Sequence, residues 1–214
     1  NVAVGTSSLD ANTPASNNTA VGYSSLGVNT TGIQNTAVGA LALDANTTGD
    51  LNVAVGYQSL GSVVSVGANT AVGGYALQAN TAANNTAVGY QALTTNTSGT
   101  GNVAVGREAL ESNTTANNNT AVGTSALLAN TTGASNVAFG ALALDANTTA
   151  SNNTAVGDGS LGANSTGGDN TAVGKDALLV NTTASNNTAI GRSALRLNTT
   201  GTLNVAVGSN ASVS

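Results

Sequence analysis

The chain has 214 residues, a formal charge of −5, four Lys plus Arg in total, and no His, Cys or Met. With 2 % aromatic residues and one proline it lacks the bulky side chains that fill a conventional core, so any core must be thin and built from small residues. Four basic residues cannot neutralise a run of phosphates or an anionic membrane surface, and no apolar run is long enough to span a bilayer, so neither nucleic acid nor membrane insertion is expected.

From the N-terminus, Asn1-Val2-Ala3-Val4-Gly5 opens a motif that recurs at Gly22, Gly39, Gly56, Gly73, Gly89, Gly106, Gly123, Gly140, Gly157, Gly174, Gly191 and Gly208. The interval is 17 residues, except for 16 between Gly73 and Gly89. Taking that glycine as position zero, −4 is Asn, −2 is Ala, and −1 is Val apart from Phe139 and Ile190. Position +4 is Leu in every complete unit, +7 is Asn and +8 is Thr or Ser, with Val63-Val64 the exception. Hydrophobic residues placed at fixed phase do not match the composition of disordered chains.

In the second unit, Asn18-Thr19-Ala20-Val21-Gly22 predicts a five-residue strand. Thr19 and Val21 share one face, and Asn18, Ala20 and Gly22 share the other. Gly22 marks a turn where φ is positive or a Cβ would collide. Leu26 follows that turn and is expected to fold back over Val21 inside the coil, with Asn29-Thr30 closing the far side. Asn119, Val122, Gly123, Leu127 and Asn130 repeat the pattern. Farther along, Gly61 to Gly67 departs from the unit and reads as one irregular loop within a continuous array. Beyond it, position +10 alternates as Ala83, Gly99, Ala116, Gly133, Ala150, Gly167, Ala184 and Gly201, so the duplicated unit is two coils and +10 does not demand positive φ.

Seventeen residues are too few for a helical repeat and suit one turn of a β-solenoid with two or three short strands. The expected fold is therefore all-β: a β-solenoid (parallel β-roll) of about 13 coils over residues 1–214, one repetitive segment about 60 Å long at ~4.8 Å per coil. Like residues then line up along the axis, and stacked Asn amides can bond from coil to coil. Because the sequence opens and closes inside a unit, it reads as part of a longer chain whose end coils need capping or continuation. So thin a rod leaves apolar surface to cover, including Ala at −2 and the Val/Thr column, and lateral association covers it.

The segments Asn102-Val103-Ala104-Val105-Gly106 and Asn187-Thr188-Ala189-Ile190-Gly191 resemble the repeat of trimeric autotransporter adhesin heads. They are also similar to the repeats of tail-fibre-like proteins of phages and bacteria. The resemblance covers the whole chain through five residues per coil. It implies a left-handed parallel β-roll, a homotrimer, and a surface-binding role at a cell or virion surface.

Little in the chain can do chemistry. The acids Asp10, Asp44, Asp50, Glu108, Glu111, Asp145, Asp158, Asp169 and Asp176 fall mostly at solvated positions, and a Glu108–Glu111 acid–base pair has no third group to tune it. No catalytic residue, cofactor or metal site is expected, since the calcium-solenoid pattern is also absent. Glycosylation sequons stand at Asn29, Asn46, Asn113, Asn130, Asn147, Asn181 and Asn198, with a second set at Asn118, Asn152 and Asn186; a turn motif repeated by duplication is the favoured explanation for them.

The function expected is that of a non-catalytic extracellular fibre or stalk segment, associating with itself and extending end to end. A cell-surface receptor would meet the variable positions carrying Tyr23, Tyr57, Tyr90, Arg107, Lys175 and Arg192. The alternative is ice binding by Thr columns, although Thr at −3 gives way to Val2, Val53, Val103, Val137 and Val205.

Overall fold

The computed structural model describes residues 1–212; Val213 and Ser214, the end of the expected segment, lie outside the described residues. Thirteen strands follow one another: β1 (Val2–Val4), β2 (Thr19–Val21), β3 (Thr36–Val38), β4 (Val53–Val55), β5 (Thr70–Val72), β6 (Thr86–Val88), β7 (Val103–Val105), β8 (Thr120–Val122), β9 (Val137–Phe139), β10 (Thr154–Val156), β11 (Thr171–Val173), β12 (Thr188–Ile190) and β13 (Val205–Val207). They form a single parallel sheet in chain order. Each strand pairs with its own copy without slip, as in Val2↔Thr19, Ala3↔Ala20 and Val4↔Val21. Across the short interval Thr70 pairs with Thr86, so the missing residue is absorbed outside the sheet. The chain is a β-solenoid, with one coil per 17-residue repeat.

Each coil carries one three-residue strand, where the sequence predicts a five-residue strand and one or two more. The reason lies in the backbone. Position zero turns as expected, with φ between 128° and 146° in all thirteen glycines. A Cβ on Gly123 would stand 2.5 Å from the carbonyl oxygen of Gly140, so this column also lets adjacent coils approach. Positions +2, +4 and +12 also hold positive φ with ordinary side chains, for example Ser24 at 50°, Leu26 at 49° and Gln34 at 59°. An αL residue cannot continue a strand, so extended structure stops after three residues.

Bonds between coils hold these turns open. The Leu26 N–H donates to Ala42 O at 3.1 Å, Leu41 N–H to Tyr23 O at 2.9 Å and Leu51 N–H to Ile33 O at 3.1 Å. No αL glycine occurs at +10, as its exchange with Ala predicts. In the short coil the buried +10 place is taken by Ala82, not by Ala83. The deletion therefore falls between Thr81 and Ala82.

The interior differs from the expected Leu-on-Val packing. Ala20 at −2 is fully buried, whereas Val21 lies on the outer face of its strand and is only half-buried. Val122 is placed the same way. Strand alternation is what the sequence predicts, but the inward face is the one carrying Asn and Ala. Leu26 packs inside against the Ala columns at −2 and +3, and this Leu and Ala set runs as one cluster from Leu9 to Ala206. Small residues suffice because each coil encloses only one large side chain. Residues 61–67 also follow the ordinary coil path: Val63 takes the buried place of Asn at +7, and β4 pairs with β5 in register.

Candidate functional site

Two buried asparagine columns run the length of the interior. Asn18 at −4 accepts from the backbone N–H of Asn35 in the next coil at 2.9 Å, and its Nδ2 crosses its own coil to Gly32 O at 2.8 Å. Asn29 at +7 donates through Nδ2 to that same carbonyl at 3.0 Å and to Asn12 Oδ1 in the preceding coil at 3.0 Å. Asn119 and Asn130 repeat this, converging on Gly133 O at 2.8 and 2.9 Å while Asn130 also donates to Asn113 Oδ1 at 3.0 Å. The +10 carbonyl is thus the hub of each coil, and the amides satisfy polar backbone that the turn takes out of water.

One rung is missing. Val63 has no amide to donate, and Asn46 Oδ1 is left as a buried acceptor without a partner. A third ladder, which the sequence reading did not find, uses threonine at +8: Thr30 Oγ1 donates to Thr47 O at 3.0 Å, and Thr131 Oγ1 to Thr148 O at 3.0 Å. The signal for it was the near-fixed Thr or Ser at that place. These hydroxyl protons are spent on the solenoid and are not available to order external water.

Of the sequon residues, Asn29, Asn46, Asn113, Asn130, Asn147 and Asn181 are fully buried members of the +7 ladder, and Asn198 is half-buried near its end. Asn118, Asn152 and Asn186 face solvent at +12 with φ of 59°, 63° and 61°. Sequence alone gives both sets the same motif; the fold separates them.

The outer face of the sheet presents two columns. Position −3 carries Thr or Val and −1 carries Val, Phe139 or Ile190, so no charged residue stands on this face. Phe139 is 57 % exposed and Ile190 is 41 % exposed, although both lie on strands paired on either side. Such a continuous apolar column, at −1, is unusual on an isolated chain.

Charged groups are scattered along the variable positions. The Arg107 guanidinium bonds Glu108, which raises its already high pKa further, and Ser125 Oγ donates to the other Glu108 oxygen at 3.3 Å. Lys175 pairs with Asp158 in the preceding coil, and that hydrogen bond likewise raises the lysine pKa. Tyr23, Tyr57, Tyr90 and Arg192 are exposed. Among the described residues no three His, Cys, Asp or Glu side chains gather where a metal could sit. Nor is any helix among them long and apolar enough to cross a membrane. No family model, curated protein or solved structure matches the chain.

Proposed function

We propose that this chain is a rigid, non-catalytic segment of an extracellular fibre or stalk, at a cell or virion surface, whose rods associate laterally as a homotrimer and can extend end to end. The observation that carries the reading is the outer sheet face, free of charge and with an unbroken apolar column at −1 over thirteen strands. Burying it in a second and third copy removes Val, Ile and Phe surface from water at about 25 cal/mol per Å². Stiffness comes from the ladders: each coil is bonded to the next by strand, amide and hydroxyl rungs together. Repetition of one unit then sets length, and the variable positions face outward for contact with a receptor.

Light scattering tests the association. A mass near three times 20.4 kDa is expected for the parent chain. The pair Val88→Lys and Val105→Lys, placed on the outer face, should return it to one chain mass without loss of β-structure. A monomeric parent overturns the self-association.

A second reading, ice binding, is favoured by one observation: eight of the thirteen strands place Thr outward at −3 on a face of parallel, in-register strands. Against it, Val stands there in the other five and −1 is apolar throughout. Thermal hysteresis with shaped ice crystals from a monomer would replace the fibre reading with this one.

A further inference from the structure

Three of the four tyrosines and three of the four glutamines in the chain fall in consecutive coils, between Tyr57 and Gln91. Tyr57 and Tyr90 stand at +1 in coils two steps apart, about 10 Å at the usual strand spacing. The coil between them has Gly74 at +1, which leaves that place open. Tyr75, from +2, fills it. Its ring meets Tyr57 edge-to-face at 5.3 Å between centroids and Tyr90 at 6.0 Å, both at 85°. Tyr90 reaches back over the gap, since a Cβ on Gly74 would touch its ring carbons at 3.6 and 3.9 Å.

The three rings therefore form a row along the rod, not a cage around a hollow. Tyr57 is 46 % exposed and Tyr90 49 % exposed, although apolar ring surface is costly to leave in water. Beside the row Gln78 Nε2 donates to Gln58 Oε1 at 3.0 Å, and Gln91 follows Tyr90 directly. Each of these amides has further donors and acceptors to offer. No Asp, Glu, Lys or Arg lies between Tyr57 and Gln91 in sequence, and the charges one coil beyond Tyr90, Arg107 and Glu108, pair with each other, so the row carries no net charge to select a charged ligand.

We infer that the Tyr57–Tyr75–Tyr90 row with its glutamines is a binding site for a neutral, linear, β-linked glycan lying parallel to the rod. A pyranose presents an apolar C–H face and a polar hydroxyl edge. The exposed ring surface of Tyr57 and Tyr90, on either side of Tyr75, takes up the former along an extended chain, and the amides bond the latter. The side-by-side tyrosines keep one another in place, so little side-chain freedom is lost on binding. This site stands independently of whether rods associate, since +1 and +2 lie beyond the strand positions that form the sheet face.

The chain has no Trp, so its tyrosine fluorescence reports mainly on this row. Titration of the full chain with cellohexaose and with chitohexaose should give a saturable change with at least one of them. Tyr57→Ala and Tyr90→Ala should each weaken that binding on the order of tenfold, the usual loss for a truncated aromatic anchor. Tyr23→Ala should leave it unchanged. Circular dichroism of each variant guards against misfolding, which is not expected at exposed positions. A flat titration with both oligosaccharides overturns the inference, as does a response that survives both row variants.

Discussion

Replacing Val63 with Asn should stabilise the rod, although it puts a polar group where a fully buried apolar one now stands. At present Asn46 Oδ1 has no donor, a defect costing about 1–3 kcal/mol. An amide at 63 would give one hydrogen to that oxygen and the other to Val66 O, which already accepts Asn52 Nδ2 at 2.9 Å as the equivalent carbonyls do. Its own oxygen would face Asn80, whose Nδ2 now bonds only Ala82 O, at 2.6 Å; a further bond there adds about 1 kcal/mol. Against this gain of about 2–4 kcal/mol stands the lost burial of Val, about 2 kcal/mol. The net is about 1 kcal/mol of stabilisation, or ~2–4 °C in Tm for a chain of this size. The converse, Asn113→Val, strands Asn96 Oδ1 and one hydrogen of Asn130 Nδ2 and should cost about 2 kcal/mol net. Paired thermal and urea melts followed by circular dichroism measure both. Should Val63→Asn lower Tm, or Asn113→Val leave it unchanged, the ladder contributes nothing net and the reasoning fails.

Ser135 holds φ at 58° on the exposed side of a turn where another coil has Gly101. Ser135→Val should lower stability by about 1–2 kcal/mol, because a β-branched side chain resists αL, while Ser135→Gly should be neutral or better; equal melts for the two would argue against that backbone. Asp44 and Asp145 are half-buried, and burial raises both carboxyls above their usual range despite backbone hydrogen bonds that lower them. A pKa raised on folding means that stability is present at low pH and lost as pH climbs through the folded-state value. The parent should therefore gain Tm relative to the Asp44→Asn, Asp145→Asn double variant on going from pH 7 to about pH 4, and a difference independent of pH would contradict this. If the chain is secreted from eukaryotic cells, glycopeptide mass spectrometry of the folded fraction should find sugar at Asn118, Asn152 and Asn186 but none at Asn113 or Asn130. Occupied ladder positions would be incompatible with the buried amides.

The repeat made the solenoid legible, because a fixed interval with a fixed glycine leaves few shapes that align like with like. It also marked both Asn columns, since a buried amide tolerates no substitute without stranding a partner. Which strand face points inward was not legible. Thr19-Ala20-Val21 alternates either way, and the larger residue is the natural guess for a core; the coil is in fact so narrow that only Ala fits opposite Leu26. The extra αL turns left a quieter trace. Positions +2, +4 and +12 accept Tyr75, Glu108, Leu26 and Asn17, yet never Val or Thr, which abound elsewhere in the unit. That omission is what a positive φ imposes on branched side chains. The tyrosine row was half legible: Tyr57 and Tyr90 stood out as exposed variable residues, but Tyr75 sits one position off their column and joins them only because Gly74 makes room.

Every +7 rung runs the same way: the amide of one coil donates to the coil before it, from Asn29 to Asn12 through Asn198 to Asn181, except where Val63 interrupts. The −4 rungs share that sense, each backbone N–H reaching to the preceding Asn oxygen. Wherever such a stack is cut, one exposed disc therefore shows a spare amide hydrogen and the other a bare oxygen. Two like discs cannot complete one another's Asn columns. Copies that continue those columns across a junction must all point in one direction, as in a polar filament.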